Sequence, residues 1–203
     1  MTREDNVLGV EKPFSQACEN NKRPILQQLE RAFASRKHIL EIGSGTGQHA
    51  VFFAEHLPHL MWQTSDQAQY HDGIHAWLSD ANLANIGAPI EFKVGKDAFP
   101  AINADGVFSA NTAHIMQKEE AKLLMHLVSQ HLPKDGVFCQ YGPFTQKGRF
   151  NSQSNRDFHF SLLERGYGGY RDVDELIAWA PLLSLKRIVD MPANNHLLVW
   201  KKK

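Results

Sequence analysis

Residues 38–50, "HILEIGSGTGQHA", end an apolar run with Gly43, Gly45 and Gly47, spaced by single residues. A glycine bend of this kind lets a ligand approach main-chain N–H groups at a helix N-terminus without meeting a Cβ. Glu41, just before the bend, can accept from a cationic or hydroxyl donor, and Ser44 lies within it. A dinucleotide GxGxxG fingerprint starting at Gly43 would need glycine at 48, where Gln48 stands, and a Walker A loop, GxxxxGK[ST], is absent. Asp66, 23 positions past Gly43, is an acidic residue at the end of a strand-like run. It is suited to both hydroxyls of a ribose, although its short side chain would equally cap the segment that follows.

These residues depend on elements that alternate along the chain. A helix is expected over Pro24–Ser35, with Pro24 in its first turn, then strands at 38–42, 60–66, 90–94, 106–110 and 136–142. Helices at about 48–56, 67–84 and 119–132 lie among them. Short apolar strands separated by helical segments predict right-handed βαβ units and a doubly wound three-layer α/β sandwich. After residue 142 come a polar stretch, 143–155, with Gly148 as a point of movement for a lid over the crevice, and helices at about 157–165 and 172–180. Strand-like runs at 182–190 and 196–201, joined by a turn containing Pro192, Asn194 and Asn195, form a terminal hairpin. No repeat or linker composition divides the 203 residues, so one domain over 1–203 is expected.

In such a sheet, ligands bind beyond the carboxyl ends of the strands where the order reverses. Asn111 and His114, in "SANTAHIM" at the end of the fourth strand, belong to that crevice. Composition narrows the partners. Lys plus Arg and Asp plus Glu both total 22, so no basic field favours nucleic acid, and no apolar stretch approaches the roughly 20 residues of a membrane span. Cys18 and Cys139 have no metal or redox spacing, which fits free thiols and a cytoplasmic location. His71 and His75 share a helical face without a third ligand nearby, and no metal site is expected.

The pattern ExGxGxG from Glu41 resembles the S-adenosylmethionine (SAM) turn of class I methyltransferases. The chain as a whole is similar to the methyltransferase-like 26 family, whose bacterial side is known as domain of unknown function 938. The similarity rests on "ENNKRPIL" (19–26), "LEIGSGTGQHA" (40–50), "WQTSD" (62–66), "NTAHI" (111–115), "YGPF" (141–144), "SQSNRDF" (152–158) and "DMPANN" (190–195). It implies SAM as cofactor and a seven-stranded, mostly parallel sheet of order 3-2-1-4-5-7-6 with an antiparallel terminal strand. It also implies a cofactor site drawing on Asn21, Lys22, Glu41, Gly43, Ser44, Gly45, Gly47, Asp66, Val94 and Asn111.

Two positions depart from the family pattern. Asn20 replaces an arginine, leaving Lys22 or Arg23 to steer the SAM carboxylate, and Lys93 stands near an aspartate expected at the adenine amino group, where Val94 or Asp97 would compensate. On the acceptor side the candidates are His114 as base, Tyr141 at the end of the fifth strand and Asn155 in the polar segment; Pro192, Asn194 and Asn195 either reach the same pocket or simply make the turn. The expected partner is a small-molecule acceptor, with self-association left open. A non-catalytic SAM-binding sensor and an NAD-dependent oxidoreductase are the competing readings.

Overall fold

The central strands of the sheet are buried on both faces. In the computed structural model, which describes residues 12–203, β1 (His38–Ile42) is buried from Ile39 onward. Leu40 and Ile42 face one core, with Leu124, Val128 and Trp200, while Ile39 faces the other, with Phe53, Trp62 and Phe108. β2 (Met61–Asp66), β3 (Ile86–Glu91), β4 (Gly106–Ala110) and β5 (Val137–Gly142) run parallel to β1. The chain then forms two-residue strands β6 (Phe144–Thr145) and β7 (Arg171–Asp172), which pair with each other, and ends in the hairpin β8 (Leu183–Met191) and β9 (Asn195–Lys202).

The large sheet has the order β3-β2-β1-β4-β5-β9-β8, and β9 lies antiparallel to both neighbours. Counting only its seven strands, this is 3-2-1-4-5-7-6, as expected. Among the described residues no helix is long and apolar enough to cross a membrane.

Helix α1 (Gln16–Ala32) starts eight residues before Pro24, which therefore sits inside it rather than in its first turn. Ser15 caps the helix by accepting from the Cys18 N–H, and Asn21, Ile25, Leu26 and Leu29 form its buried face. That packing holds the helix through the position where proline lacks an N–H to donate to the preceding turn. Ser15 also exchanges hydrogen bonds with Gln48 in α2 (Gln48–His56), which lays the start of α1 over the glycine bend.

The third strand was expected at 90–94 but lies at Ile86–Glu91. Its Gly87 and Pro89 read as strand breakers, yet β3 is a sheet edge, where proline needs no ladder partner on its open side. Gly87 moreover packs against the Gln63 side chain, where a Cβ would lie 2.3 Å from Oε1. The helix expected at 67–84 is a 3-10 turn at Ala68–Tyr70 followed by α3 (His71–Ala81). On the other face, α4 (Lys118–His131) is opened by a Gln117/Glu120 capping box. Downstream, α5 (Gln153–Glu164) is capped by Ser152, and α6 (Val173–Trp179) by Asp172.

Candidate functional site

The carboxyl ends of β1, β2 and β4 converge on the glycine bend. Gly43, Gly45 and Gly47 all have positive φ (78°, 57° and 89°), so the bend demands backbone that other residues adopt only with strain. A Cβ on Gly43 would also lie 2.5 Å from Thr112 Cγ2, whereas one on Gly45 would meet nothing within 4 Å. Gly43→Ala is therefore expected to destabilise the fold by about 1–3 kcal/mol and Gly45→Ala by about 1 kcal/mol, the latter from backbone conformation alone. Urea unfolding of the two variants checks the ranking.

Two cavities lie at this end of the sheet, one of them against the bend. The first, about 270 Å³, is lined by Gly43, Gly45, Asp66, Phe92, Val94 and Asn111, among others. The second, about 470 Å³ and within the usual size of small-molecule sites, includes Asn21, His114, Tyr141, Asn155 and Tyr170. Asn111 and Ile115 belong to both walls. Asn111 follows β4 with φ 57°, a left-handed conformation rare outside glycine, and its N–H donates to the Tyr141 carbonyl at 2.9 Å. The junction of the two cavities is thus a strained and anchored position.

Asp66 is buried at the end of β2. Its Oδ2 accepts from the Gly45 N–H and its Oδ1 from the Gln67 N–H, both at 2.7 Å. Burial raises its pKa, and those two N–H groups work against the rise. His71 places Nε2 3.0 Å from the Asp66 carbonyl oxygen and donates to it.

The other sequence-derived cofactor candidates divide by position. Gly43, Gly45, Asp66, Val94 and Asn111 line the smaller cavity, and Asn21 lines the larger. Neither lining includes Lys22, Glu41, Ser44 or Gly47. Lys22 turns back along α1 to Glu19 at 2.5 Å and lies over the Phe52 ring. Gly47 caps α2 and backs onto Ile74 and Trp77. Glu41 is fully buried because alternation along β1 directs it to the Trp62 face of the sheet, where Oε2 accepts from Ser44 Oγ (3.0 Å) and Trp62 Nε1 (3.1 Å).

The bend also differs from a ready-made set of free amides. The N–H groups of Gly43 and Ser44 donate to the Ser65 carbonyl, that of Gly47 to the Ser44 carbonyl, and that of Gly45 to Asp66. Their role in this conformation is to shape the turn. Lys93 lines the smaller cavity, whereas Asp97 accepts from the Lys93 N–H at 2.7 Å and is absent from that lining.

All three acceptor-side candidates, His114, Tyr141 and Asn155, share the larger cavity. Burial lowers the His114 pKa to about 4, so the imidazole is neutral at physiological pH. Its ring forms no hydrogen bond among the described residues and packs near the rings of Phe158 and Tyr170. The segment 143–155 is tied down rather than free to swing as a lid. Phe144 is buried, Thr145 Oγ1 and the Gly148 N–H both donate to Asp172 Oδ2 at 2.8 Å, and Asn151 Nδ2 donates to the Asn194 carbonyl.

Sequence reasoning overlooked Ile115, Phe158 and Tyr170, which belong to the larger cavity. Phe158 lay inside the quoted "SQSNRDF" segment, and its exposed apolar ring on α5 was the available signal. The turn residues Pro192 and Asn195 line the cavity too, while Asn194 and Ala193 supply the positive φ of the turn.

A family model for proteins of unknown function, DUF938, matches residues 12–202. The chain belongs to the DUF938 family. Several solved structures similar to the DUF938 protein are methyltransferases. An O-methyltransferase family protein from Burkholderia thailandensis aligns with a TM-score of 0.75 and 16% identity over 90% of this chain and 56% of its own. Human N-acetylserotonin methyltransferase, in complex with SAM, aligns with a TM-score of 0.76 and 14% identity over 92% and 53%. An O-methyltransferase family 2 protein from Planctomyces limnophilus, in complex with apigenin, gives 0.73 and 16% over 90% and 62%. The DUF938 protein thus has the class I methyltransferase fold and spans somewhat over half the length of these structures.

Proposed function

We propose that this protein is a SAM-dependent methyltransferase acting on a small-molecule acceptor. The observation that carries this reading is the pair of cavities that share Asn111 and Ile115 in their walls, one beside the glycine bend and Asp66, the other beside His114 and Tyr141. The residues fit such a cofactor: Asp66 offers carboxylate oxygens to a ribose diol, and Phe92 and Val94 give an apolar surface for a purine. When bound, SAM would supply an electrophilic methyl group.

The chain's own task is alignment and exclusion of water. Asn111 and Ile115 separate the two compartments where donor and acceptor must meet. His114, uncharged above about pH 4, can accept a hydrogen bond or a proton from the acceptor. The segment 143–155 closes the acceptor side through its bonds to Asp172 and Asn194 rather than through a hinge.

Calorimetry with SAM tests the cofactor assignment, with one site per chain expected. A SAM concentration 100-fold above Kd should stabilise the fold by about 2.7 kcal/mol, and NADH should leave the melting temperature unchanged. Failure of SAM to bind, or stabilisation by NADH alone, defeats the reading. A SAM-binding sensor is the second reading, favoured by the lack of any carboxylate bonded to His114 among the described residues. Labelled SAM with a metabolite extract separates the two, since only an enzyme transfers the label.

A further inference from the structure

The wall of the larger cavity combines apolar surface with polar groups and, among the described residues, carries no charged side chain. Its polar groups include five carboxamides, from Asn20, Asn21, Asn111, Asn155 and Asn195. Burial holds the remaining titratable members neutral: His114 is pushed down to about 4, Tyr170 up to about 12, and Tyr141 upward as well. An ion entering this space would surrender hydration without meeting a counter-charge.

The direction of each hydrogen bond around Tyr141 follows from donor chemistry. Asn21 Oδ1 lies 2.6 Å from His49 Nε2, and an amide oxygen can only accept, so His49 donates. Asn21 lies beside the Tyr141 hydroxyl, and its amino group has no protein acceptor among the described residues. Asn195 Nδ2 donates to the same hydroxyl oxygen at 3.1 Å and to the Pro192 carbonyl at 3.4 Å. With the Asn195 N–H directed at its oxygen and no acceptor for its hydrogen among the described residues, Tyr141 keeps its O–H hydrogen for something else.

Asn155 is fixed in the same way. Its Nδ2 donates to Asn151 Oδ1 at 2.7 Å and to the Asn194 carbonyl at 2.9 Å. The carboxamide oxygens of Asn155 and Asn195 are therefore the atoms those two residues still have for a ligand. Phe158 and Tyr170 complete the wall with aromatic surface.

We propose that the larger cavity selects an uncharged ring compound that offers an acceptor atom to the Tyr141 hydroxyl and N–H or O–H donors to Asn155 and Asn195. Tyr141 is then a specificity-determining donor and not a base. That the occupant is the methyl acceptor rests on the methyltransferase reading; the polarity of the wall does not. Aromatic amides, lactams and hydroxylated heterocycles have this pattern, whereas aromatic carboxylates do not.

The test uses two isosteric probes, 3-hydroxybenzamide and its anionic counterpart 3-hydroxybenzoate, titrated by ligand-observed NMR into the full-length protein with and without S-adenosylhomocysteine. The amide is expected to bind about tenfold or more tightly than the carboxylate. Tyr141→Phe removes the donor, and Asn195→Asp turns the hydroxyl toward a new acceptor at nearly constant volume. Each should weaken amide binding about tenfold while the S-adenosylhomocysteine Kd stays within about twofold. Equal or tighter carboxylate binding, no amide binding, or unchanged amide affinity in Tyr141→Phe overturns the proposal. Loss of S-adenosylhomocysteine binding in the wild type would instead overturn the cofactor reading, and the amide preference measured without it would still decide this one.

Discussion

Replacing Asp66 with alanine is expected to raise the Kd for SAM about 100-fold or more. On the proposed reading its carboxylate takes the two ribose hydroxyls, and each hydrogen bond to a charged group contributes about 1.5–3 kcal/mol when its partner would otherwise be left bare. Together that is about 3–6 kcal/mol, of which about 2.7 corresponds to a 100-fold change. The substitution also leaves the N–H groups of Gly45 and Gln67 without their acceptor, so the bend itself loosens. Asp66→Asn should fall between, because one oxygen still accepts while the amino group meets either Gly45 N–H or Gln67 N–H.

Because burial raises the Asp66 pKa, wild-type affinity should also weaken toward acid pH, as protonation removes an acceptor. Calorimetry on folded variants, checked by circular dichroism, provides the measurement. A Kd within about threefold of wild type in Asp66→Ala would show that the ribose is held elsewhere.

The second large effect concerns stability. Glu41 is almost completely enclosed, and burial, reinforced weakly by the charge of Asp66, raises its pKa from 4.5 to about 7 against the lowering effect of its bonds from Trp62 and Ser44. A carboxyl whose folded pKa exceeds its unfolded value contributes stability that is fully present below about pH 4.5. That stability is lost as pH rises through about 7. The shift corresponds to about 3 kcal/mol.

Glu41→Gln reproduces the protonated acid: one oxygen accepts from Trp62 and Ser44, and the amino group takes the place of the second oxygen. The variant should match wild type near pH 4 and exceed it by about 3 kcal/mol at pH 8. His49 and His114, both lowered to about 4 by burial, move in the opposite sense. Their contribution is present above their unfolded pKa of 6.5 and lost as pH falls toward about 4, but it is common to both proteins and cancels in the difference. Urea unfolding of the two proteins at both pH values decides the matter; a stability difference that ignores pH would mean that Glu41 is already ionised in the folded protein.

The two expectations separate what Glu41 and Asp66 look like in sequence from what each does. Both are acidic residues beside strand ends, and both were assigned to the cofactor. Strand alternation directs Glu41 into the Trp62 core, whereas Asp66, at the last position of β2, reaches the cavity beside Gly45. The same contrast holds for Lys22, whose helical neighbour Glu19 claims it, and for Ser44, which joins the bend to β2.

By itself the sequence determined the alternation of strand and helix, the sheet's doubly wound character, the glycine bend and the residues gathered at the strand ends. These are local properties: apolar runs flanked by breakers, glycines needing positive φ, and motifs whose order follows the chain. Tertiary structure decided the rest. It placed the third strand over Gly87 and Pro89 because an edge tolerates breakers that an interior strand rejects. It began α1 eight residues before Pro24, where Ser15 caps the helix and Asn21 is buried. It brought Asn21, Asn155 and Asn195 to one cavity from three distant segments, and through Asn195 gave the Tyr141 hydroxyl its direction. Hydrogen-bond polarity of this kind depends on which groups meet in space, and a residue's neighbours in sequence do not specify it.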